Sequence, residues 1–111
     1  MVTLLNETIQ LIHINPNVEV NTALVKRAMV MAKSTKNYAK FYTDKYYIIV
    51  NFNKDNTMNL SFNIRNLDFY REFMRLQNTV KSKTDISAYA IFITRWLNKI
   101  RKGIVYWFFN F

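Results

Sequence analysis

Cysteine is absent from the sequence, and glycine, proline and histidine occur once each, as Gly103, Pro16 and His13. Without cysteine there is no disulfide, thiolate metal site or cysteine nucleophile, and a reducing cytoplasm is the expected location. One glycine excludes a glycine-rich phosphate loop. One histidine excludes His-His metal pairs and any triad that draws on a second histidine; at the end of an apolar stretch, His13 reads as an ordinary helix residue near a turn. Acidic residues are scarce too: seven Asp and Glu stand against sixteen Lys and Arg, a formal charge of +9. Such an excess repels itself in the folded state and attracts polyanions. No apolar run is long enough for a spanning helix, because Ala88 to Phe111 is broken by Arg95, Lys99, Arg101 and Lys102. Residues 1–7 lack the basic flank and apolar stretch of a signal peptide. No membrane partner is expected.

What remains is a chain of 111 residues, half of them apolar and 16% aromatic. That length and composition predict one domain, 1–111, with a substantial core. The cations are uneven. Lys26, Arg27, Lys33, Lys36, Lys40 and Lys45 face only Asp44, and Lys81, Lys83, Arg95, Lys99, Arg101 and Lys102 face only Asp85, while the residues between are nearly balanced.

Leu5, Ile9 and Ile12 recur at helical spacing, which predicts a first helix over 3–13 ended by Asn15-Pro16-Asn17. Asn21 caps a second, with Leu24, Val25, Ala28, Met29, Met31 and Ala32 on its apolar side, running to about Lys33. If its pattern is extended to Tyr42, Lys26, Lys33, Lys36 and Lys40 form a cationic ridge. Residues 45–65 carry the clearest signal, two alternating runs around Asn53-Lys54-Asp55-Asn56, and predict a β-hairpin. Its core face holds Tyr46, Ile48, Val50, Phe52, Met58, Leu60, Phe62 and Ile64. Its other face holds Lys45, Tyr47, Ile49, Asn51 and Asn53 beside Asn59, Ser61, Asn63 and Arg65.

Asn66 caps a third helix over 67–81, and Thr84 or Asp85 starts a fourth whose stripe is Ile86, Ala90, Ile93, Leu97 and Ile100, closed by Gly103. Residues 104–111 form an aromatic tail of strand-like composition, able to extend the sheet or to pair with a second copy. The expected fold is therefore α+β: about four helices on one face of a short antiparallel sheet built on the hairpin, with an additional C-terminal strand as an option.

Catalysis finds no support. Asp68 and Glu72 share a helical face, but Arg71 and Arg75 are spaced to pair with them, and the chain reads as a non-enzyme without cofactor or metal. Cations for phosphates and aromatics for stacking are what a binder of single-stranded nucleic acid needs. The surface expected for it comprises Lys33, Lys36, Lys40, Lys45, Tyr47, Asn51, Asn63 and Arg65, with Tyr38 beside them; the competing reading puts Tyr38, Phe41 and Tyr42 in the core. No motif of the named nucleic-acid folds is present. Trp107, Phe108, Phe109 and Phe111 suggest an interface, either of a homodimer or of a small viral or mobile-element protein that inhibits a host protein or nucleoprotein complex.

Overall fold

The computed structural model of the protein describes residues 9–79 and 85–103. The elements run β1 (Gln10–His13), α1 (Thr22–Ser34), β2 (Tyr38–Tyr42), β3 (Tyr47–Phe52), β4 (Met58–Phe62), α2 (Leu67–Thr79) and α3 (Ile86–Arg101). The strands form a four-stranded sheet in the order β1-β2-β3-β4. β2, β3 and β4 are an antiparallel meander, whereas β1 is parallel to β2, with α1 as the crossover between them.

This α+β architecture corrects the expectation in two places. The sheet is mixed, because the segment read as the end of a first helix pairs as a strand, with Leu11 beside Lys40 and His13 beside Tyr42. Its four residues alternate in exposure, and a short apolar run of this kind satisfies a helical template equally well until a partner strand decides. Among the described residues there are three helices, not four. The second helix ends at Ser34, next to its expected bound at Lys33, and the extension to Tyr42 does not form.

The stop has a physical cause. The Asn37 N–H donates to the Ala32 carbonyl at 2.9 Å and the Lys36 N–H to that of Lys33 at 3.2 Å, the paired closure that ends a helix when the intervening residue turns left-handed. Lys36 adopts that conformation, with φ of 55°, where glycine is the usual occupant. The expected ridge of Lys26, Lys33, Lys36 and Lys40 is thereby broken, since Lys36 lies in the turn and Lys40 in β2. At the other end of α1, Asn21 Oδ1 accepts from the Ala23 N–H at 2.7 Å, as its cap position predicts.

The strands bury alternate residues. Ala39, Phe41, Ile48, Val50 and Phe52 are inaccessible, and Met58, Leu60 and Phe62 pack against them from β4. Over this face lie Val25, Ala28, Met29 and Ala32 of α1, Phe69 of α2, and Ile93, Trp96 and Leu97 of α3, all in the same cluster. Phe69 touches the rings of Phe62, Phe73, Phe92 and Trp96, so α2 is held to both β4 and α3 by aromatic edges. Two polar clamps add direction to that packing. Trp96 Nε1 donates to Glu72 Oε1 at 2.9 Å, joining α3 to α2. Asn98 accepts from the Val20 N–H at 2.8 Å and donates to the Val20 carbonyl at 3.1 Å, joining α3 to the segment that leads into α1.

Asp68 and Glu72 do not pair with Arg71 and Arg75: Glu72 instead meets Arg95 at 3.1 Å as well as Trp96. No helix among the described residues is long and apolar enough to cross a membrane. The proposed tail strand and interface, with Trp107, Phe108, Phe109 and Phe111, lie outside the described residues.

Candidate nucleic-acid interface

A strand that buries every second residue must present the others on the opposite side of the sheet. Register places these in three rows. The first runs His13, Tyr42, Tyr47. The second runs Leu11, Lys40, Ile49, Ser61, and the third runs Tyr38, Asn51, Asn59. Among the described residues no helix packs on this face, because the buried apolar side chains of α1, α2 and α3 join the cluster on the other one. Leu11 is 61% exposed there.

Lys40 occupies the middle of the face. Its ammonium lies 5.3 Å from the centre of the Tyr42 ring and 5.7 Å from that of Tyr47, on strands that are direct neighbours. Each contact contributes about 0.5–1 kcal/mol at an exposed site and holds the charge over the sheet instead of letting it swing into solvent. The His13 ring meets Tyr42 edge to face at 5.3 Å. Tyr38 stands four residues before Tyr42 on β2, roughly 13 Å away along the strand. Two aromatic stations thus flank a fixed cation.

The residues expected from the sequence distribute as follows. Lys40, Tyr47 and Asn51 come together on the open face. Lys36 and Lys45 lie just beyond the two ends of β2, so that Lys36, Lys40 and Lys45 follow one strand in place of one helix. The Lys36 ammonium is hydrogen-bonded to Asn56 in the β3–β4 turn. Asn63 is engaged with the backbone: its Oδ1 accepts from the Tyr47 N–H at 2.8 Å and its Nδ2 donates to the Lys45 carbonyl at 2.9 Å, continuing the β3–β4 ladder past Phe62. Its place is that of a brace beside the face. Asn51 Nδ2 donates to Asn53 Oδ1 at 3.3 Å. Lys33 closes α1 in the helical layer and so does not join the face, while Arg65 is exposed between β4 and α2.

His13 and Tyr42 belong to the site and were missed as such. The alternation Tyr38-Ala39-Lys40-Phe41-Tyr42 was the available signal: a period of two puts Phe41 inside and both tyrosines outside, which is where burial places them. His13 had no comparable signal, because its position depends on the parallel pairing of β1. Comparison of the chain with protein-family models, with curated proteins and with solved structures gives no match.

Proposed function

We propose that the protein binds single-stranded nucleic acid on the open face of its sheet, without catalysing a reaction on it. The observation that carries this reading is the Lys40 ammonium held between Tyr42 and Tyr47 on a face that no described helix covers. Rings lying on an exposed sheet offer stacking surface to unpaired bases, and the cation between them answers the phosphate that links such bases. A duplex offers phosphates but no unpaired base, since its bases are stacked on one another, so the rings gain nothing from it. The +9 charge of the chain supplies attraction at longer range.

Titration of labelled single-stranded and duplex oligonucleotides by fluorescence anisotropy at two salt concentrations tests the proposal. Single strands bind tighter than duplex, and log Kd against log salt has a slope of about 0.7 for each phosphate contacted. Tyr47→Ala loses about 1–3 kcal/mol, the contribution of one stacked base. An affinity indifferent to salt, or unchanged in Tyr47→Ala, refutes it. Absence of any binding, with a host protein co-purifying in its place, favours the inhibitor reading.

A further inference from the structure

At one end of the sheet, the turn joining β2 to β3 and the C-terminus of α3 enclose a cleft of about 240 Å³. Ile14, Tyr46, Ile100 and the His13 ring give it a largely apolar wall. His13, which lines the cleft, also touches Tyr42, so the cleft adjoins the first aromatic row of the face. Three charged residues are part of its lining: Arg101, Lys45 and Asp44. Arg101 is fixed in place, its Nε donating to Asn98 Oδ1 at 2.9 Å and its Nη1 to the Pro16 carbonyl at 3.0 Å. Among the described residues nothing pairs with the exposed Asp44 carboxylate, although Lys45 and Arg101 line the same cleft.

An apolar slot with an unpaired carboxylate and cations at its mouth is matched by a flat heterocycle that donates hydrogen bonds and carries a phosphate. Of the bases, guanine alone offers two adjacent donors on its pairing edge, N1–H and the N2 amino group, spaced for the two oxygens of a carboxylate. Adenine and cytosine present an acceptor beside their amino donor, and thymine or uracil presents one donor between two acceptors, so each sets an oxygen or nitrogen lone pair against Asp44. An unstacked base read along this edge and held between side chains is an ordinary mode of single-strand recognition. We propose that the cleft takes one guanine from the strand lying on the sheet, with Asp44 accepting from its pairing edge and Lys45 meeting its phosphate. This rests on the nucleic-acid reading of the face and adds base selectivity to it.

The test compares three labelled strands by anisotropy: oligothymidylate, the same strand with one guanine, and the same strand with one adenine. The guanine strand binds about tenfold tighter or more, as a good bidentate contact discriminates, and the adenine strand matches oligothymidylate. Asp44→Ala abolishes the guanine preference and leaves oligothymidylate affinity unchanged or slightly raised. Equal affinity for the three strands, or a preference that survives Asp44→Ala, overturns the guanine site while leaving the sheet-face reading intact. Failure of every strand to bind overturns both.

Discussion

Several single residues carry more of this fold than their chemical type suggests, and Asn66 is foremost among them. It is wholly buried, its Oδ1 accepts from the N–H groups of Asp68 at 2.8 Å and Phe69 at 3.2 Å, and its Nδ2 has no partner among the described residues. Asn66→Ala removes the cap and costs about 1–2 kcal/mol. Asn66→Ser costs less, since it keeps an acceptor while deleting the orphaned donor; urea denaturation of both variants measures the difference. Lys36 is the opposite case, a residue kept in a conformation that glycine adopts freely. Lys36→Gly stabilises the protein by up to about 1 kcal/mol in the same assay, despite losing the exposed contact to Asn56. Tyr89 adds a pH dependence. Burial first, and the neighbouring Asp85 carboxylate second, raise its phenol above the ordinary 10.0. Stability is therefore undiminished below the ordinary value and falls as pH rises through the raised one. In Tyr89→Phe that alkaline loss, followed by thermal melts across pH, is reduced. Caps such as Asn66 and Asp85 were legible, because Asn and Asp before an apolar run satisfy the first free N–H groups whatever surrounds them. The end of α1 near Lys33 was legible too, but the left-handed turn at Lys36 was not, since nothing in a lysine announces it.

Elements that rest on local pattern were readable, and those that rest on distant partners were not. The β3–β4 hairpin has its predicted faces because a period of two dictates them once a turn-forming tetrad fixes the register. α2 and α3 begin where their caps place them. β1 is different: it owes its existence to a parallel pairing across α1, and four residues hold too little pattern to reveal it. The link between α2 and α3 was misread for the same reason. Glu72 lies at helical spacing from Arg75, yet it serves Trp96 and Arg95 of the next helix. Its energetics follow from exposure. Glu72→Ala strips the Trp96 indole, in a wholly buried residue, of its acceptor and costs about 1–3 kcal/mol. Arg95→Ala breaks a pair whose arginine is 54% exposed, and costs under about 1 kcal/mol. Equal losses in denaturation of the two variants would show that the indole contributes nothing to the clamp.

At the scale of the molecule, the sheet divides the described residues into a packed side and one that none of their helices covers, and the cations divide with it. Lys26 and Lys33 belong to α1, in the helical layer, while Lys36, Lys40 and Lys45 follow β2. Charge balance in the sequence pointed to a polyanionic partner but held no information about which surface meets it, because that depends on where α1 ends and which face the helices cover. On the open face, His13 joins Lys40 and Tyr42 only through the parallel pairing of β1, and Tyr47 joins them only through the pairing of β3. The central claim is that the open face is the binding surface, and amide and ring shifts of isotope-labelled protein on addition of a single-stranded oligonucleotide test it most directly. The account predicts perturbations concentrated at Tyr38, Lys40, Tyr42, Tyr47, Asn51 and His13, with Lys26, Val30 and the rest of the exposed side of α1 unmoved. Perturbations centred on α1, with the sheet tyrosines unchanged, would contradict it.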